Sequence, residues 1–217
     1  MKVIDLGTGN SVLNAYMAEL RDKQFQQNRS LFRRNLTRIG QIMAYEISRT
    51  FNYSQKTVET PLATKTVSTH DDRIVLGTVL RAGLAFHDGF LQMFDKADCA
   101  FVAAYREEGS AEDLKIHLEY MAAPNLAGST LLLVDPMLAT GGSIELAVKA
   151  FLKAGTPKKM HICVAIAAPE GVANLQRAFP NDDVTLWTAA IDERLNEQAY
   201  IVPGLGDAGD LCFGEKL

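Results

Sequence analysis

The stretch from Leu131 to Leu152 constrains this chain more than any other. Four apolar residues, Leu131-Leu132-Leu133-Val134, run into an acid, Asp135, and then into the turn Thr140-Gly141-Gly142-Ser143. A continuous apolar run of this length reads as a strand buried on both faces, as in a parallel sheet. Glu145, Leu146, Val148, Ala150, Phe151 and Leu152 follow with helical spacing, and Gly155 and Pro157 stop the pattern. Gly141 and Gly142 allow the sharp turn between strand and helix and bare the backbone N–H groups. Those amides, with a helix N-terminus behind them, make a site for a phosphate. Thr140 and Ser143 add hydroxyl donors. Asp135 falls at the carboxyl end of its strand, where open α/β sheets bind ligands, and a carboxylate there accepts hydrogen bonds from a sugar diol. The unit implies a binder of a phosphorylated sugar. It is not a Walker A loop, because no Gly-Lys-Ser/Thr follows, and it is not Gly-x-Gly-x-x-Gly.

The rest of the chain alternates strand and helix patterns, which predicts a parallel, helix-covered α/β sheet in one domain over residues 1–217. Val12, Leu13, Tyr16, Met17 and Leu20 suggest a short helix in an otherwise loosely patterned start. Phe32, Leu36, Ile39, Met43, Ile47 and Phe51 form a clear helical stripe. Arg29, Arg33, Arg34 and Arg38 fall on its other side, read here as a solvated face, with a subunit contact or effector site as the alternative. Residues 73–80 read as the first core strand and end in Arg81; residues 99–105 read as another and end in Arg106. Two strands thus deliver arginine to one sheet edge. Each arginine either pairs with a nearby acid, such as Glu107 or Glu108, or forks onto a pyrophosphate. Alternation at Leu114, Ile116, Leu118 and Tyr120 makes residues 107–121 a β-hairpin arm beside the site. Strands follow at 160–167 and 184–189, with a helix opened by Pro169 between them.

The last informative stretch is Tyr200 to Asp210, whose three glycines and one proline predict a rigid loop rather than a regular element. Composition alone makes it a surface loop. Its bare backbone also offers N–H donors and carbonyl acceptors that need no side chain.

These motifs together resemble the type I phosphoribosyltransferases, and the uracil phosphoribosyltransferase branch in particular. The carriers are Asp135-Pro136-Met137-Leu138-Ala139-Thr140-Gly141-Gly142-Ser143, Leu80-Arg81-Ala82-Gly83-Leu84, Tyr105-Arg106, and Tyr200-Ile201-Val202-Pro203-Gly204-Leu205-Gly206-Asp207-Ala208-Gly209-Asp210. The arm Thr57 to Leu62, closed by Pro61, is similar too, and the likeness extends from about residue 30 to residue 214. It implies a parallel twisted sheet with helices on both faces, a β-hairpin arm and a C-terminal base-binding hood. It implies uracil and 5-phosphoribosyl 1-pyrophosphate as substrates and Mg²⁺ as cofactor, held through pyrophosphate oxygens and water with no direct protein ligand. In that scheme the nine residues Asp135 to Ser143, together with Arg81, Arg106 and Asp207, hold the phosphoribosyl substrate. Ile201, Gly206, Asp207 and Ala208 hold uracil, and Asp135 and Arg106 serve the chemistry. The resemblance also implies a homo-oligomer of two or four copies and leaves room for a GTP effector. Leu211 stands where relatives usually carry a basic residue, and residues 116–148 contain no Lys or Arg. Both departures touch phosphate-side electrostatics and regulation.

Composition narrows the alternatives. A net charge of −4 and a pI near 5.6 offer no basic field for nucleic acid, which counts against an RNA-binding regulator of similar fold. A purine transferase would carry a different base loop. No apolar run spans a membrane and no signal-like start is present. Cys99, Cys163 and Cys212 are odd in number, with Cys99 and Cys163 in apolar strand-like runs that suggest buried free thiols, and His70, His87, His117 and His161 lack metal-ligand spacing. A cytoplasmic protein with free thiols is expected.

Overall fold

The computed structural model describes residues 1–106, 116–180 and 183–215; at 104–106 and 116–118 it describes backbone alone. In chain order the elements are β1 (Lys2–Asp5), α1 (Val12–Arg21), α2 (Lys23–Gln26), α3 (Arg29–Ser48), β2 (Tyr53–Glu59), β3 (Thr64–His70), β4 (Ile74–Leu80) and α4 (Gly83–Met93). Then come β5 (Asp98–Arg106), β6 (Ile116–Ala122), β7 (Thr130–Val134), β8 (Met137–Leu138), α5 (Gly142–Phe151), β9 (Lys159–Val164) and β10 (Ile166–Ala167). The chain closes with α6 (Pro169–Ala178), β11 (Val184–Thr188), β12 (Arg194–Leu195), β13 (Ile201–Val202) and α7 (Ala208–Phe213).

Seven strands form the main sheet in the order β1-β11-β9-β7-β4-β5-β6. All pairings are parallel except β5 with β6. The run Leu131–Val134 is the middle strand, completely buried, as its unbroken apolar character requires. Alternate residues feed two cores. Leu76, Leu132 and Cys163 pack with Ile39, Phe86 and Phe90 beneath α3 and α4. Leu131, Leu133 and Ile162 pack with Val148, Phe151 and Leu175 beneath α5 and α6. Helices therefore cover both faces. No helix of the described residues is long and apolar enough to cross a membrane.

Four details differ from the sequence reading. An edge strand the sequence reading did not foresee, β1, precedes the core strand β4; its four residues show no periodicity and it is held by pairing with β11. The arginines of α3 divide: Arg29 and Arg34 are exposed, but Arg33 donates to the Cys212 carbonyl at 2.6 Å and Arg38 lies 5.0 Å over the Tyr16 ring. An arginine fork finds internal acceptors that a purely solvated face would not offer. The expected arm at 107–121 falls largely on 107–115, outside the described residues, while 116–122 is β6. A second, largely exposed ribbon, β2 with β3, carries the Thr57–Pro61 segment.

Candidate active site

Parallel strands end together, so β4 and β7 present Arg81 and Asp135 at one edge of the sheet. Asp135 N–H donates to the Cys163 carbonyl at 3.1 Å, which ties the acid to β9. Its Oδ1 accepts from Met137 N–H at 3.3 Å. The residue is 9% exposed. Burial pushes its carboxyl up to about 7; the Met137 amide opposes this and the nearby Asp207 charge reinforces it.

The loop after Asp135 is fixed from behind through its carbonyls. The Pro136 carbonyl accepts from Ala165 and Ile166 N–H at 3.0 and 3.1 Å, and the Leu138 carbonyl from Ala168 N–H at 2.8 Å. Asn174 Nδ2 donates to the Thr140 carbonyl at 2.8 Å. Gly141 caps α5 with φ +90°, a conformation that glycine adopts without strain. The first turn of α5 leaves its amides without helical partners, at the positive end of the helix.

The opposite wall comes from the last third of the chain. β12 and β13 pair as a two-stranded ladder, and α7 begins at Ala208. The stretch Tyr200–Asp210 is thus not irregular throughout: Ile201 and Val202 are strand, and Ala208–Asp210 are helix. Glycines obscured both elements in the sequence, and a capping acid reveals the second, since Asp207 Oδ1 accepts from Asp210 N–H at 3.0 Å. Arg81 crosses to this wall, donating to Asp210 at 3.1 Å and to the Gly214 carbonyl at 3.3 Å. So one of the two arginines has found an acid, though in α7 rather than beside it in sequence.

Between the walls lies a cleft of about 790 Å³. Of the residues singled out by sequence, Arg81, Asp135, Met137, Ala139, Thr140, Gly141, Ser143, Gly206, Asp207 and Ala208 line it. Pro136, Leu138, Gly142 and Ile201 do not; Leu138 and Ile201 turn their side chains into the core. Arg106 ends β5, three residues beyond Ala103, which is level with Leu80; its side chain lies outside the described part. Sequence reasoning missed Gln198, Ala199 and Ile144, which also line the cleft. Ala199 has φ +59°, unusual for a residue with a Cβ, and no local motif announces it.

Three acids, Asp135, Asp207 and Asp210, face one arginine among the described lining residues. That balance suits a developing positive charge or a cation carried in by an anionic ligand. Among the described residues no group of three or more His, Cys, Asp or Glu side chains is set to bind a metal directly.

An open, mostly parallel α/β sheet with a glycine-capped loop, a buried acid and a second wall at one edge is the architecture of the type I phosphoribosyltransferase class. Comparison with known proteins makes this specific. The chain belongs to the uracil phosphoribosyltransferase family, whose model matches residues 8–215. It is 49% identical over 217 residues to a protein named uracil phosphoribosyltransferase from Porphyromonas gingivalis, covering 100% of both chains. It is 44% identical over 200 residues to one of the same name from Limosilactobacillus fermentum, covering 91% of this chain and 92% of that one. A solved structure from Aquifex aeolicus superimposes with a TM-score of 0.88 at 33% identity, covering 98% of each chain.

Proposed function

We propose that the protein joins uracil to 5-phosphoribosyl 1-pyrophosphate, releasing UMP and pyrophosphate. The observation that supports this best is one cleft shared by Asp135, the Ala139–Ser143 loop and the Gly206–Asp210 wall. The loop amides would bind the 5′-phosphate and Asp135 the ribose hydroxyls. Arg81 and Arg106 would neutralise the pyrophosphate; Arg81 would exchange its bonds to Asp210 and Gly214 for substrate oxygens. In the reaction the bond from C1′ to pyrophosphate oxygen breaks with its electron pair going to pyrophosphate, the bond from C1′ to uracil N1 forms, and the N1 proton passes to the departing pyrophosphate or to water. Pyrophosphate departure running ahead of bond formation leaves positive charge on the sugar, which the acids of the cleft stabilise. Catalysis is then mainly positioning and electrostatics. Mg²⁺, held through pyrophosphate oxygens and water, would supply further neutralisation of the leaving group, and the carboxylate-rich wall is compatible with a cation beside it.

Backbone groups of residues 201–208 would read the uracil edge. The reading also includes a cytoplasmic homo-oligomer, and light scattering of the purified protein gives the number of copies. The test of the function is direct: purified protein with uracil, phosphoribosyl pyrophosphate and Mg²⁺ yields UMP. Absence of UMP together with tight binding to RNA would overturn it in favour of a regulator.

A further inference from the structure

The wall that would read the base is held from the far end of the chain. Arg21 ends α1, and Asp192 follows it by 171 residues. Arg21 Nη1 donates to Asp192 Oδ2 at 2.8 Å and Nη2 donates to Oδ1 at 2.6 Å. The same two side chains then grip one peptide residue on both sides. Gly204 N–H donates to Asp192 Oδ2 at 2.7 Å, and the Gly204 carbonyl accepts from Arg21 Nη1 at 3.1 Å. A neighbouring contact adds to this: Gln26 Nε2 donates to the Leu20 and Leu205 carbonyls, both at 2.7 Å. The Asp192 side chain is 5% exposed and that of Arg21 28%, so the pair is shielded in a way surface pairs are not. Burial alone would raise the Asp192 carboxyl, but the bonds from Arg21 and Gly204 hold it below the usual carboxylate range. Neither residue lines the cleft.

A pocket that reads its ligand through backbone groups has no rotamers with which to correct an error. Its accuracy depends on whatever fixes the backbone. Gly204 has φ +66° and its Cβ, if present, would sit 2.1 Å from the Ile201 carbonyl oxygen, so the turn is already sharply defined. We infer that Arg21 and Asp192 are positioning residues for base recognition: by fixing the Gly204 peptide they set where Gly206, Asp207 and Ala208 meet the base. The inference rests on the reading of residues 201–208 as the base side.

Three variants test it: Arg21→Met, which keeps the stem and loses the fork; Arg21→Lys, which keeps one donor; and Asp192→Asn, which keeps the shape. Arg21→Met should raise KM for uracil on the order of tenfold or more, as loss of a charged hydrogen bond does, with KM for phosphoribosyl pyrophosphate unchanged. Discrimination against cytosine should fall, and Arg21→Lys should restore part of both. Combining Arg21→Met with Asp192→Asn should cost less than the sum of the two. Exchange of the Gly204 amide, followed by mass spectrometry or NMR, should quicken in Arg21→Met. Faster exchange or a lower Tm with an unchanged KM for uracil would overturn the inference and leave the pair a structural brace alone. An equal rise in both KM values would likewise overturn it. If Arg21→Met fails to fold, Arg21→Lys and Asp192→Asn decide by the same measurements. Failure of the underlying reading looks different: the unaltered protein would form no UMP, or Gly206→Val would leave uracil use intact.

Discussion

Asp135 is a carboxylate placed where a carboxylate is costly. Its folded value of about 7 lies above the ordinary aspartate value of about 3.9. The folded chain therefore holds this proton more tightly than the unfolded chain. The resulting stability is complete below about pH 4 and is lost as pH rises through about 7. Asp135→Asn removes the penalty, so at pH 8 it should be the more stable protein by at most about 4 kcal/mol, seen as a higher Tm, with the gap closing toward pH 4. Thermal melts of both proteins across that range check the sign. Turnover should move the other way. If Asp135 holds the ribose hydroxyls as proposed, losing that charged hydrogen bond costs about 1.5–3 kcal/mol, roughly tenfold to a hundredfold in rate. Near-normal kinetics in a folded Asp135→Ala protein would remove the residue from the site. Such opposition, stability gained and activity lost at one side chain, is a mark of a group kept for function. Arg81 invites a similar experiment: Arg81→Lys keeps the charge and loses the fork, and should weaken phosphoribosyl pyrophosphate binding with little effect on uracil. A change in Tm alone would leave only its pair with Asp210.

At the scale of elements, α3 and α4 cross in close contact beneath the sheet. Added Cβ atoms at Gly40 and Gly89 would lie 2.7 Å from the Phe86 carbonyl oxygen and 2.1 Å from the Thr37 carbonyl oxygen. Thr37 Oγ1 donates to the Ala85 carbonyl at 2.9 Å across the same contact. Gly89→Ala should therefore force α3 and α4 apart and cost about 1–3 kcal/mol, the usual cost of overpacking, measured as a lower urea midpoint. An unchanged midpoint would show that the crossing relaxes freely. Local sequence made the central unit legible. The run 131–134, the glycines after it and the helical spacing beyond are short-range signals, and β7, the loop and α5 follow them closely. The ribbon of β2 and β3 was hidden because Tyr53-Ser54-Gln55-Lys56-Thr57 has no apolar alternation to betray a strand. Helix α7 was masked by the glycines around it.

On the scale of the molecule, what sequence could not show is what meets what. Arg81 with Asp210 and Arg21 with Asp192 are 129 and 171 residues apart, and nothing at either end of those separations marks its partner. On the proposed reading, the same arrangement would make base selectivity a property of the assembled whole. A competition assay should find cytosine used far more poorly than uracil and 5-fluorouracil used comparably, because each donor left facing the cytosine amine costs about 1–3 kcal/mol. Equal kcat/KM for cytosine and uracil would refute a backbone-read base edge. The long-range pairing also sets an order of events in time. β1 pairs with β11, and Arg21 waits for Asp192 and Gly204. A chain growing at about 5–20 residues per second completes the Asp135–Ser143 loop and its anchors, as far as Asn174, before it makes the Ile201–Asp210 wall. On the proposed reading, the phosphate side of the site is therefore made first and the base side last.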